Sequence, residues 1–240
     1  MLSTSKSGFE VSLPVARTGG DVITYGLHVE VGGQSATVRE VSPTNLPGFC
    51  PERHINVDGT FCLYWQPVDG IAIETRDAAL EWWATVVAFL KLQARAARLR
   101  RWPNRRGRAH GDAAHYQHAA EEAANIIGGT IERAMREGNL SVAKGTRRAN
   151  GRALRLLRGK RRVVSIWEET KRVVALRRPC ICESQARPLA MVSCGEHAAA
   201  AALLVLSLQK MEKAEAEFNR QLAGHECCGT MNDCPLKKAA

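Results

Sequence analysis

No run of apolar residues in this 240-residue chain reaches the ~18 needed to cross a bilayer. The best candidate, AAAAALLVLSL at 198 to 208, has eleven residues and is flanked by charge. An export signal is also lacking, because MLSTSKSGFEVSLPV holds no continuous hydrophobic stretch followed by a small-residue cleavage site. The expected compartment is therefore the cytoplasm, with no membrane among the partners. There the eight cysteines should be thiols, metal ligands or catalysts rather than disulfides. Aromatic residues are few, at 5%, and this bears on the formal charge of +10. The charge concentrates at Arg95, Arg98, Arg100, Arg101, Arg105, Arg106 and Arg108, and again between 144 and 178, where Arg147, Arg148, Lys160, Arg161 and Arg162 lie. Neither stretch interleaves aromatics as a base-stacking platform does, so nucleic acid is a disfavoured partner and a solvated basic face is the simpler reading.

An apolar fraction of 45% over this length permits a buried core with a substantial appendage, and two units are expected. The first 76 residues read as strands and turns: VITYGLHVEV alternates, and RTGGD and GGQS bound it. Pro43, Pro47 and Pro51 make the next segment irregular and extended. From Asp77 the apolar residues at 80, 83, 86, 87 and 90 follow helical spacing, with an acidic first turn and a basic last one, and Pro103 must end the helix. A second helix is expected after Asp112, a candidate N-cap, ending at Gly128 and Gly129. Residues 130 to 178 read as short helical pieces broken by EGN, NGR and RGKRR, with a possible strand at RVVSIW. A long alanine-rich helix begins near Glu196, and cysteines bracket it on both sides. The expected fold class is α+β: an antiparallel meander with flanking helices over 1 to 128, then a mostly helical, basic, cysteine-rich extension over 129 to 240.

HINVDGTFCLYW, at 54 to 65, puts His54, Asn56, Gly59 and Cys62 within nine positions. A cysteine just past a glycine turn is exposed enough for its thiolate to attack an acyl group. A nearby asparagine amide supplies a donor for the oxyanion that forms. These residues, with Leu63, the WQP at Trp65 to Pro67 and the helix behind them, resemble the active-site signature of ubiquitin-conjugating enzymes: His-Pro-Asn, a short loop, then Gly-x-x-Cys-Leu. The resemblance covers about residues 8 to 127 and implies a divergent, bacterial-type member. It implies that Cys62 accepts a ubiquitin-like modifier as a thioester from an activating enzyme and passes it to an amine or hydroxyl of a target. It also implies that Asn56 steadies the oxyanion or its loop, and that His54 is structural. The chain departs from the pattern in several places. Ile55 replaces the usual proline, the loop to Cys62 is shorter than is typical, Trp65 follows closely, and no helix is expected before Gly8. Asp58, Asp69 and Glu74 are each candidate acids for the second transfer, and spacing selects none of them. Cys50 reads as a packed thiol.

Cys180, Cys182, Cys194, His197, His225, Cys227, Cys228 and Cys234 offer six thiols and two imidazoles. Zinc takes four such ligands in a tetrahedron, and these spacings are short enough to chelate from turns, although none is a double Cys-x-x-Cys. A structural Zn2+ is expected, with Cys180, Cys182, Cys227 and Cys228 as first choice, stapling the segment before the long helix to the one after it. The histidines are weaker candidates, since one beside a helix end is as often a cap. Two other functions compete with the transferase. One is a non-catalytic adaptor whose conjugating-type fold and zinc-binding tail dock a protein or nucleic acid. The other is a hydrolase pairing Cys62 with His54, which lacks an orienting third group.

Overall fold

The computed structural model describes residues 7 to 17, 19 to 103, 107, 109 to 182, 189 to 232 and 234 to 237. Arg105, Arg106 and Arg108 of the first basic stretch lie outside the described residues, as does most of the segment before Gly8. The chain divides into two compact units, one formed by residues 1 to 104 with 222 to 240, the other by 105 to 221.

In the first unit, β1 (Ser7–Ala16), β2 (Val22–Gly32) and β3 (Ser35–Glu40) make an antiparallel meander in the order β1-β2-β3. The alternation of β2 buries Tyr25, Leu27 and Val29 on one face. After β3 the proline-bearing segment has no regular structure until a 3-10 turn at Pro51–Arg53. The Glu40 carboxylate holds it, accepting from the Leu46 amide at 3.0 Å and the Asn45 side chain at 3.0 Å. A one-turn helix α1 (Gln66–Asp69) leads to α2 (Arg76–Leu99), whose first turn is capped by the Thr75 hydroxyl accepting from the Ala78 amide at 3.1 Å. The buried stripe of α2 is Trp82, Val86, Phe89, Leu90, Gln93 and Ala96. It is rotated from the expected one, and Leu80 stays 57% exposed. Val29, Val38, Ile55 and Phe61 form one core with Trp82, Val86, Phe89 and Leu90 of this stripe, with Phe61 stacked on Phe89 at 4.8 Å.

The second unit begins with α3 (Ala113–Ile127) and α4 (Gly129–Arg136). Asp112 occupies the N-cap position of α3 without capping through its side chain. The turn is closed instead by the Ala113 and Ala114 amides donating to His110 and Gly111 at 3.1 and 3.2 Å. The expected boundary at residue 128 falls inside this unit, because α3 packs on α5 (His197–Gln221). Both helices present alanines there, Ala120, Ala123 and Ala124 facing Ala200, Ala201 and Ala202 in one core.

Between these helices lies the main departure from the sequence reading. Residues 140 to 173 are an antiparallel sheet, β4 (Leu140–Arg148), β5 (Gly151–Arg158), β6 (Arg161–Trp167) and β7 (Arg172–Val173), and not helical pieces. NGR and RGKRR are its hairpin turns. Gly151 has φ 105 and Gly159 φ 56, conformations that cost a side chain dear. RVVSIW is a strand as expected. Leu154, Leu156, Val164 and Ile166 point inward, against Leu204, Val205 and Leu208 of α5, while Arg147, Arg148, Lys160, Arg161 and Arg162 are exposed. No helix among the described residues is long and apolar enough to cross a membrane.

Candidate active-site turn and cysteine clusters

The turn before Cys62 is closed by an antiparallel bridge between Ile55 and Phe61. Both side chains are anchored in the core of the first unit. Within it, the Asn56 amide donates to the Thr60 carbonyl at 2.9 Å, and the Gly59 amide to the Asn56 carbonyl at 2.9 Å. Gly59 has φ 79, which only glycine adopts freely. The side chains repeat the closure. Asn56 Nδ2 donates to Thr60 Oγ1 at 3.0 Å, and the Thr60 hydroxyl and amide donate to Asp58 Oδ1 at 2.6 and 3.0 Å. Burial would raise the Asp58 carboxyl, but these two donations outweigh it and hold the group below its ordinary range. Of the other candidate acids, Glu74 accepts from the Gln34 side chain, and Asp69 ends α1.

Cys62 follows this turn, half-buried, its amide donating to the His54 carbonyl at 2.8 Å. Burial pushes its thiol pKa up. His54 sits in left-handed geometry with φ 55. Its ring is buried 4.8 Å from that of Trp102, and its carbonyl ties it to the backbone of Cys62.

In the second unit, Cys180, Cys182, Cys194 and His197 bring one ligand atom each to within 4.8 Å of one another. Two short segments position them. Cys180 donates its amide to Leu189 and Met191 donates to Arg178, at 2.8 and 2.9 Å, and a 3-10 turn at Met191–Ser193 delivers Cys194 to the start of α5, where His197 stands. The measured separations are 3.6 Å between the sulfurs of Cys182 and Cys194, 3.3 Å from Cys180 Sγ to His197 Nδ1, and 3.2 Å from Cys194 Sγ to that nitrogen. Zinc bonds of about 2.3 Å to sulfur and 2.0–2.1 Å to nitrogen place tetrahedral ligands about 3.8 and 3.6 Å apart, so these three separations match a zinc tetrahedron to a few tenths of an ångström, and all four ligand atoms lie within 4.8 Å of one another. Burial and the neighbouring Cys182 and Cys180 thiols raise Cys194 to about 12.

The first-choice ligand set is thereby divided. Cys180 and Cys182 meet Cys194 and His197, while Cys227, Cys228 and Cys234 belong to the other unit and pack with Cys50. The division follows from α5, which carries the chain from one cluster and releases it at Gln221 into the first unit. His225 joins neither cluster; it lies exposed, 5.2 Å from the ring of Phe49. Cys50, read from the sequence as a packed thiol, is fully buried in that cluster; that the tail thiols would be its neighbours was not legible from spacing.

A meander, a bridged turn ending in a cysteine and a long following helix make the first unit an α+β domain, and comparison with family models gives its family. A prokaryotic E2 domain matches residues 1–104, and a cysteine-rich domain, C-terminal to E2 domain, matches residues 109–236. The chain belongs to the prokaryotic E2 proteins that carry this cysteine-rich domain, and so to ubiquitin-like conjugation, a system of modifiers and activating enzymes. Neither the curated proteins nor the solved structures contain a match.

Proposed function

We propose that the protein is a transferase that carries a ubiquitin-like modifier as a thioester on Cys62. The observation that supports this most is that Cys62, alone of the eight cysteines, stands outside both thiol clusters, on the bridged turn where the E2 resemblance requires the nucleophile. The Cys62 thiolate attacks the carbonyl carbon of the modifier's C-terminal thioester on the activating enzyme. A new C–S bond forms, the old one breaks, and the activating enzyme's thiolate leaves. In the second step an amine or hydroxyl of the target attacks the same carbon, loses its proton to solvent, and Cys62 departs as thiolate. Asn56 has two N–H donors and gives one to Thr60, so the second serves the oxyanion while the first fixes the side chain. His54 positions the turn through its carbonyl. Asp58, held ionised by Thr60, is a poor base and a better acceptor for an incoming ammonium. Cys180, Cys182, Cys194 and His197 would hold a zinc ion in a structural role, because three thiolates and an imidazole would fill its four positions.

The test is charging. With the activating enzyme, its modifier and ATP, wild type forms a reducible adduct, Cys62→Ala forms none, and Cys62→Ser forms one that survives reductant. An activating enzyme that charges itself yet transfers nothing, or an adduct that persists in Cys62→Ala, overturns the assignment and leaves a non-catalytic adaptor.

A further inference from the structure

Four thiols meet in the first unit where the last part of the chain reaches the segment before the active-site turn. Cys228 Sγ lies 2.9 Å from Cys50 Sγ. Cys234 is hydrogen-bonded to Cys227 and lies near Cys228. All four pack in one cluster with Met231, Leu236 and Trp102, in which Cys50 is 0% and Cys234 5% exposed. We propose that Cys50, Cys227, Cys228 and Cys234 form a second metal site, a tetrathiolate centre for a soft divalent cation of the zinc class, separate from the Cys180 centre.

Three observations support a metal over packed thiols. Six-residue and one-residue spacings, Cys228 to Cys234 and Cys227 to Cys228, are short chelating turns, and the fourth donor arrives from 177 positions before Cys227. The Gly229 amide donates to Cys227 Sγ at 3.4 Å and Thr230 Oγ1 stands 3.0 Å from Cys228 Sγ, so two of the four sulfurs already have polar neighbours of the kind that support metal-bound thiolates. A tetrathiolate around a divalent ion carries two net negative charges, and a buried cation stands beside it: Arg53, 2% exposed, reaches Thr230 at 3.4 Å while Gln93 of α2 holds its guanidinium at 2.7 Å. Among the described residues the Cys180 set alone brings three or more ligand atoms together as they stand, so the Cys50–Cys228 and Cys227–Cys234 pairs must approach one another to complete a tetrahedron.

The site would tie the tail to the catalytic turn by main-chain bonds. Cys50 and Ile55 exchange amides at 3.1 and 3.0 Å, Ile55 bridges Phe61, and Cys62 comes next.

The test uses the full chain, expressed with zinc and purified under reductant. Elemental analysis should find two equivalents of metal per chain, falling to one in Cys50→Ser, to one in Cys180→Ser and to none in the double variant. N-ethylmaleimide on the native wild type should modify Cys62 alone, and all eight cysteines after chelation and unfolding. Should Cys50→Ser fail to fold, Cys50→His keeps a ligand and two equivalents, and the labelling pattern of the wild type decides without any variant. One equivalent in the wild type, ready labelling of Cys50, Cys227, Cys228 and Cys234 with metal present, or a Cys50–Cys228 disulfide in the non-reduced peptide map would overturn the second site. None of these readouts depends on whether Cys62 is charged.

Discussion

Cys62 stands in surroundings that disfavour its thiolate, and the consequence is two-sided. A raised pKa lowers the fraction of attacking thiolate at neutral pH, yet it also makes the sulfur a poorer leaving group, so a thioester on it resists stray hydrolysis. Because the folded thiol titrates above its ordinary value of 9.0, the thiolate fraction still rises tenfold per unit at pH 8. Alkylation of Cys62 by iodoacetamide, followed by peptide mass spectrometry, should keep accelerating through pH 9; a plateau near pH 7 would contradict the burial argument. Asn56→Ala should retain charging and slow discharge to an amine about 10²-fold, the usual cost of one oxyanion donor. Thr60→Val, which loses the hydroxyl that Asn56 and Asp58 share, should reproduce part of that loss if Asn56 must be held in place. Arg53 is a residue the sequence did not single out. Its guanidinium donates to Gln93 Oε1 at 2.7 Å, and Gln93 Nε2 returns a bond to the Arg53 carbonyl at 2.5 Å. Gln93→Leu removes the side-chain acceptor of a buried cation, which keeps the Gln93 carbonyl, and should cost about 1–3 kcal/mol, measured by urea unfolding.

At the level of elements, what could be read depended on how strongly each pattern repeated. The long helices α2, α3 and α5 each carry several turns of apolar or alanine spacing and end at Pro or Gly signals, so their presence was legible to within a few residues. The sheet of the second unit was not. β5 and β6 bury only two inward apolar residues each, Leu154 with Leu156 and Val164 with Ile166, and the arginines and leucines between them favour helix as readily as strand. Only tertiary packing on α5 decides the matter. The glycines that read as helix breakers are the turns of the meander: at Gly151 a side chain would run into the Glu169 carboxylate, which accepts from the Arg152 amide at 2.7 Å. Gly151→Ala should therefore destabilise the second unit by at least about 1 kcal/mol, seen as a lowered thermal midpoint. The turn before Cys62 was legible as a turn because Gly59 marks it, and Gly59 has φ 79. The grouping of the cysteines was not, since spacing shows which thiols are close in sequence and says nothing about which unit receives them.

For the whole molecule, a metal held by Cys180, Cys182, Cys194 and His197 would be part of the second unit's core. Cys180 and Cys182 belong to the same buried cluster as Leu154, Ile166 and Leu204, so its removal would leave buried thiols next to an alanine-rich helix interface that has few large side chains to compensate. Metal-free protein should lose amide exchange protection first between residues 176 and 200, with the strands β5 and β6 following; protection unchanged by chelation would rule out a structural metal there. The order of the chain has its own consequence. Residues from Leu222 onward belong to the unit begun by the first 104, and Cys50 is fully buried there against Cys228 and Met231, so that unit cannot close around Cys50 until the intervening residues 105 to 221 have been made.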